Sequence, residues 1–537
     1  MTRVLDTAKV WLLATATLAL ALPAAAQQTQ AAAPGQQAGP SVDRYVVGQA
    51  RPPVVEGTTL LDLTLEQAML AALEKNLDLK AARLGPQGVD YQLQAARAAF
   101  TPRIAGTYGY TNQSRPNNST ILDPTLNTVT TQSQQFNSSI QQLLPFRGAS
   151  LSANFNNSRQ QSNSIQTVLN PSYISNLQAN FSMPLLAGFL IDNTRNTLRT
   201  TAIQRQVADV QLLATIENTK ASVRTAYWNL KQAIEQIEIA QRALDLANRL
   251  FQDNRIKVEI GTLAPIDTVQ SEAQVASAEQ LLLAARVGWQ TAELNLKRLL
   301  VSGPEDQLYR NTINPTEQPV LAVQSVDIPT AVRTALEQRT DLVQSRKNIE
   351  ISQLNLEVTK NQTKPDLTFN TSYQLQGQGG QRLVQGIRTP GGYLDALTQI
   401  RGVDNPTWNM QFQFAYPLGM QAARANYARA LLQFDQTQVQ LKSQELQVTA
   451  LVTNAGLAVE NSYKQYLAAQ KNAEAQLRNT EAEQTRFDVG MSTNYNVVQA
   501  QNSLTSARLS ELRALINYLN AIAEFDRVQR VGGGGGQ

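Results

Sequence analysis

PTWNMQFQFAY, residues 406–416, alternates without a break: Trp408, Met410, Phe412, Phe414 and Tyr416 fall on one side, and Asn409, Gln411, Gln413 and Ala415 on the other. Side chains change face at every residue of a strand, so this stretch predicts a β-strand with one apolar and one amide-bearing face. Trp and Tyr stand at its two ends, as on a strand that crosses an outer membrane between two aromatic girdles. A partner precedes it, in which Leu367, Phe369, Thr371, Tyr373 and Leu375 alternate with Thr368, Asn370, Ser372 and Gln374. Upstream, Ile104, Tyr108 and Tyr110, and then Tyr173, Leu177, Ala179, Phe181 and Met183, follow the same scheme. A half-buried sheet in a soluble protein gives the same alternation. Four such strands, two in each half of an exported chain without other globular segments, favour a lipid-facing wall.

The strands belong to a repeat. LTLEQAMLAALEKNLDL from Leu63 matches VDIPTAVRTALEQRTDL from Val326, so that Ala68 meets Ala331, Asp78 meets Asp341 and Pro102 meets Pro365. Further on, FSMPL at Phe181 matches FAYPL at Phe414, after which Arg195 meets Arg424, Gly261 meets Gly490, Gln270 meets Gln499 and Arg298 meets Arg527. The register changes because the first half carries an insertion between Pro102 and Phe181. Halves this long exceed a solenoid unit and indicate an internal duplication, with repeats at 59–325 and 326–530.

Each repeat has one order of elements. A helix over 65–100 or 328–364 stops at a Pro, because the residue before Pro is pushed toward extended geometry. A β section follows, then a very long helix (190–257 and 420–487), a Gly turn, and a last helix (264–300 and 493–528). The long helix measures about 100 Å at 1.5 Å per residue, which equals the two shorter helices placed end to end. This predicts a tall rod of antiparallel helical hairpins. Val452, Gly456, Val459, Tyr463, Tyr466, Gln470, Ala473, Leu477, Thr480, Gln484 and Phe487 are spaced alternately by four and three, a coiled-coil seam. Val223, Tyr227, Leu230, Ile234 and Ile237 begin the same way before a local stammer at Ala240. Small and polar residues interrupt both seams, so a lone hairpin buries little and needs neighbours.

The ends and the composition bound the function. Arg3 and Lys9 precede an apolar run from Val10 to Leu22, and Ala24-Ala25-Ala26 offers small residues for cleavage, so 1–26 reads as a secretory signal peptide. Residues 27–58, with Pro34, Pro40, Pro52 and Pro53, read as a disordered or extended N-terminal arm, and 531–537 as a Gly-rich tail. The 537 residues include 46 Lys plus Arg against 42 Asp plus Glu, no His and no Cys. That near-balance argues against a nucleic-acid surface. The lack of His and Cys removes most metal sites and thiol nucleophiles and the usual base near neutral pH. Glu66 and Glu272 occupy helix positions where capping or solvation explains them, and no nucleophile, base and orienting group come together. The chain reads as no enzyme, with no cofactor and no metal.

Four strands cannot close a barrel, since about eight is the minimum and lipid offers no partner to edge backbone groups. Two chains would give eight strands around a filled interior; three give twelve, with room for a wet pore lined by Asn, Gln, Ser and Thr. The insertion holds a further hairpin over 134–159, FNSSIQQLLPFRGASLSANF, turning at Arg147-Gly148. An extracellular loop, an inward constriction and two added strands are all compatible with it. Its thinner apolar face favours the loop or the constriction.

With the duplicated order, the Pro-bounded β hairpins and the two turns VEIGTLAPIDTVQSEAQ at Val258 and FDVGMSTNYNVVQAQNS at Phe487, the chain resembles the TolC-like outer membrane efflux proteins from about residue 60 to 530. The resemblance implies a mixed fold: an outer-membrane β-barrel of twelve strands shared by a homotrimer, plus a long α-helical coiled-coil barrel across the periplasm, with an equatorial region near 300–330. It implies a passive exit duct of a tripartite efflux or type I secretion system for small molecules or proteins. The implied partners are outer membrane lipid, a periplasmic adaptor (membrane fusion) protein and an inner-membrane pump of the RND, ABC or MFS type. Carried over by position, Gly261, Thr262, Leu263, Gly490, Met491 and Ser492 form the periplasmic tip that meets the adaptor. At the aperture Asp267 is retained, while Phe487, Asn496 and Gln499 stand where some members have a Tyr hydroxyl and carboxylates. This departure predicts closure by Phe487 packing and amide hydrogen bonds rather than by charge. The competing reading is a soluble periplasmic coiled-coil structural or adaptor protein whose strands pack as an ordinary sheet.

Overall fold

The computed structural model describes residues 48–53, 57, 59–116, 127–164, 167–319, 326–384 and 387–532. The expected signal peptide, most of the arm and nearly all of the tail lie outside the described residues. The first half runs β1 (Leu60–Leu63), α1 (Leu65–Lys75), α2 (Leu77–Ala98), β2 (Arg103–Pro116), β3 (Thr128–Leu143), β4 (Ser150–Ser162), β5 (Leu169–Pro184), α3 (Asn193–Glu259) and α4 (Pro265–Leu300). A short α5 (Gln307–Arg310) and β6 (Thr312–Pro315) lead into the second half. That half runs α6 (Ile328–Gln338), α7 (Thr340–Asn361), β7 (Asp366–Val384), β8 (Ile387–Thr389), α8 (Tyr393–Gly402), β9 (Pro406–Ala415), α9 (Gln421–Asp488) and α10 (Asn494–Arg530).

The helices follow the duplication. α3 and α9, of 67 and 68 residues, pack against α4 and α10 respectively, and α10 also packs against α3. The seam of α9 is buried at Val452, Gly456, Val459, Tyr466, Ala473, Thr480 and Phe487, while Gln470 is exposed. On α3, Val223, Tyr227, Leu230, Ile234 and Ala240 are buried. Among the described residues no helix is long and apolar enough to cross a membrane.

Two expectations are corrected. The single helix over 65–100 is two, because Asn76 stops α1 and caps α2: its side chain accepts from the Leu79 N–H at 2.9 Å and donates to the Leu299 carbonyl at 3.1 Å. Arg339 breaks 328–364 at the equivalent place, with its Nη1 donating to the Val528 carbonyl at 2.7 Å. In both halves a buried polar side chain at the break donates to a backbone carbonyl of a neighbouring helix.

The second correction concerns the sheet. Instead of four long strands there are six among the described residues, in the order β2-β3-β4-β5-β7, with β9 on the far side of β7 and the short β8 at the β7 tip. The hairpin over 134–159 is neither a loop nor a constriction. Its strands β3 and β4 lie inside the sheet, antiparallel to β2 on one side and β5 on the other. A strand flanked on both sides has the backbone groups of both its edges paired, so a thin apolar face is enough to hold it.

Candidate functional site

The wall is built by register. Successive antiparallel pairings place Ile104, Ile140, Ala153, Ala179, Tyr373 and Trp408 in one row across all six strands. Neighbouring rows on that face carry Phe155, Leu177 and Leu375, then Leu151, Phe181 and Met410, then Met183, Phe369 and Phe412. The rings of Phe369 and Phe412 lie 5.1 Å apart, and Trp408, Met410, Phe412 and Phe414 stand well exposed. The opposite face is amide and hydroxyl: one row is Thr107, Asn137, Asn156, Asn176 and Gln376, and another is Ala105, Ser139, Asn154, Gln178, Gln374 and Thr407. Charged side chains on this polar face stand near its two rims, Arg103 and Asp366 at one and Arg115 and Arg382 toward the other, and among the described residues of the strands between them there is none. At the far end α8 lies over the apolar face beyond the band. A Cβ on Gly377 would meet the Ala396 carbonyl at 1.9 Å, so only glycine lets the helix approach. Tyr393 donates from its hydroxyl to Asn157 at 2.9 Å, and Gln399 exchanges hydrogen bonds with the Gln378 backbone where β9 has ended.

At the waist, one stripe of α3 gathers the segments that cross it. The Tyr227 hydroxyl donates to the Leu63 carbonyl at 2.9 Å and accepts from the Glu317 N–H at 3.1 Å; burial pushes its pKa up to about 12. One turn on, Lys231 donates to the Pro315 carbonyl at 3.2 Å, and burial lowers its pKa against the attraction of Glu235. A further turn on, buried Glu235 accepts from the backbone N–H groups of Gly48 and Ala50 at 2.9 and 3.0 Å. The end of the expected arm is therefore docked, and the parallel β1–β6 pair is pinned at both chain ends. Sequence reasoning places Tyr227 on the seam of the long helix but does not single out Lys231 or Glu235. The spacing of Tyr227, Lys231 and Glu235, with two ionisable groups on a seam, was the available signal.

The tip repeats itself in both halves. Gly261 and Gly490 each adopt φ of 78°, a left-handed conformation that ends a helix at low cost in glycine. Beyond them the Thr262 N–H returns to the Lys257 carbonyl at 2.8 Å and the Met491 N–H to the Arg486 carbonyl at 2.7 Å. Leu263 packs against a cluster of Leu250, Phe487, Val497 and Val498, and the Lys257 ammonium sits 4.0 Å from the Phe487 ring centroid. Ser492 donates to Glu483 at 2.8 Å, a bond that with Arg486 holds the Glu483 carboxyl below its usual range. Ile260, Ile266, Val489, Met491 and Tyr495 stay exposed around these turns.

Of the aperture residues, the structure joins Phe487 and Asp267 to contacts between the halves. It leaves Asn496 and Gln499 exposed, the Asn496 amide donating within its own turn to Ser492 at 3.4 Å. Asp267 takes part through its backbone carbonyl, which accepts from Asn494 at 3.2 Å. The amides that cross between halves are others: Asn254 donates to Asn494 at 2.8 Å in a buried position, and Gln274 and Asn502 pair at 2.7 and 3.3 Å. Asn494 lies two residues before Asn496, on the inner side of the same helical turn, a difference of face that spacing alone leaves open.

Comparison with known proteins fits this geometry. A family model described as "Outer membrane efflux protein" matches residues 148–301 and 331–528. No curated protein matches the chain. Among solved structures, the Campylobacter jejuni CmeC outer membrane channel is 18% identical with a TM-score of 0.61, over 87% of this chain and 85% of that one. The Neisseria gonorrhoeae MtrE outer membrane channel, in its open state, is 18% identical with a TM-score of 0.59, over 93% and 98%. VceC of Vibrio cholerae is 14% identical with a TM-score of 0.61, over 87% and 96%. With both repeats matched and a sheet that is apolar on one face and amide-bearing on the other, the chain belongs to the outer membrane efflux protein family.

Proposed function

We propose that this chain forms, as a homotrimer, the passive exit duct of a tripartite efflux or type I secretion system. The observation that carries the reading is the sheet, apolar on one face and lined with amides and hydroxyls on the other with charge only near the rims, and with two edges unpaired among the described residues that lipid cannot satisfy. Export through such a duct needs no chemistry from the chain: solutes diffuse through a wet tunnel, and a pump in the inner membrane supplies the energy.

The tip is the surface for a periplasmic adaptor. Gly261, Thr262, Leu263, Gly490, Met491 and Ser492 form two like turns, and the exposed apolar residues beside them suit a helical partner that covers them. The pump behind that adaptor is of the RND, ABC or MFS type. The test is direct: the protein extracted from outer membranes should need detergent to stay in solution and should run as a trimer that heat dissociates. A monodisperse chain in plain buffer would overturn the reading, because the soluble coiled-coil alternative needs no amphiphile.

A further inference from the structure

The β3–β4 hairpin is the part of this chain that a duct does not require. Both strands are hydrogen-bonded to neighbours along nearly their whole length, β3 to β2 and β4 to β5. Their side chains obey the division of the sheet, with Phe136, Ile140, Leu151, Ala153 and Phe155 on the apolar face and Asn137, Ser139, Asn154 and Asn156 on the amide face. A hairpin tucked into a lumen or standing above a rim has no reason to keep that division.

The outermost strands, β2 and β9, keep one free edge each. Every pairing in the sheet is antiparallel and six strands is an even number, so β2 and β9 run in opposite directions. The β9 of one copy therefore meets the β2 of the next in antiparallel fashion, with both apolar faces on the same side. Ile104, Tyr108 and Tyr110 on β2 and Trp408 and Met410 on β9 are exposed at these two edges, and each set continues the band of the other. Bare edges do not occur in hydrocarbon, and a second copy of this chain satisfies both.

We propose that three copies joined β9 to β2 close an eighteen-stranded barrel, wider than four strands per copy would give, so that the membrane segment is not where this duct selects its cargo. The proposal rests on the trimeric duct reading above and deepens it. Barrel diameter grows roughly linearly with strand number, and barrels of about 16–18 strands hold an aqueous channel, so the wall widens by about one half over twelve strands. Between its charged rims the lining bears amides and hydroxyls, which wets the pore and discriminates little by sign. Steric and electrostatic selection then falls to the helical tip.

Imaging the full chain in lipid nanodiscs counts the strands: eighteen in the wall are expected, and a twelve-stranded wall with 128–162 outside it would overturn the proposal. Cysteine pairs give a second readout, since the chain has no Cys of its own. Gly106→Cys with Ser138→Cys, paired across β2 and β3, should form a disulfide on mild oxidation in membranes. Gly106→Cys with Leu177→Cys should not; a bond there means that β2 pairs directly with β5 and sinks the proposal. A membrane trimer with twelve strands removes only this proposal, whereas a chain that is soluble without detergent removes the duct as well.

Discussion

Tyr227, Lys231 and Glu235 show how three side chains on one helix stripe do the work of a small domain. Each reaches a backbone group from a segment remote in sequence, and none of those segments has a core of its own. Tyr227→Phe leaves the Leu63 carbonyl and the Glu317 N–H without their shared partner. A loss of roughly 1–3 kcal/mol follows if both stay buried, read as a lower melting temperature in detergent, while Tyr495→Phe at the exposed tip should change nothing. Glu511 on α10 makes a pH-dependent contribution. Burial pushes its carboxyl from 4.5 up to about 7, only partly opposed by Arg508. Folding thus takes up a proton between those values. Stability falls as pH rises across that window and levels off above it. Glu511→Gln should flatten this slope in denaturation curves taken from pH 4.5 to 8; an unchanged slope would assign it to another group.

At the level of elements, the strands and the long helices were legible in the sequence and the breaks were not. Period-two alternation at 408–416 and 367–375 fixes face and strand together, and the register then joins those faces into one band. The long helices α3 and α9 appear within a few residues of their expected ends. Asn76 and Arg339 escaped notice because helical periodicity runs through them; what stops each helix is a tie to a carbonyl of another helix. The place of the β3–β4 hairpin is hidden for a related reason: its apolar face alone is thin, whereas a strand in mid-sheet draws on two neighbours. Close contact between elements has its own marker at Gly456, where a Cβ would lie 2.8 Å from Ile328 Cγ1 at the start of α6. Gly456→Leu should push α6 off α9 at a cost of about 1–3 kcal/mol, measured as earlier unfolding, with Gly456→Ala milder because the Ile328 side chain can yield.

Across the described residues, charge on the polar face of the sheet is confined to its rims, and at the tip the charges stand in pairs of opposite sign, Arg255 with Glu259, Lys257 with Asp488 and Arg486 with Glu483. Single channels in planar bilayers should therefore show little preference between cations and anions. A strong cation preference that disappears in Asp267→Asn would show that one retained carboxylate rules the aperture after all. At the tip, contacts between the halves run through Phe487, Asn254 and Asn494, with the Lys257–Asp488 ion pair at 3.6 Å beside them. Phe487→Ala should raise the open fraction of such channels if this packing is what holds the turns together.

The docking of β1, β6 and the arm on a single stripe of α3 has a mechanical side. From Tyr227 to the end of α3 is about 48 Å of unbroken helix at 1.5 Å per residue. With the waist as fulcrum, a swing of about 5° carries the far end through about 4 Å, more than the width of a water molecule. A stiff lever held at its middle converts a slight torque from a bound neighbour into an aperture, with no residue near the opening needing to change its own conformation.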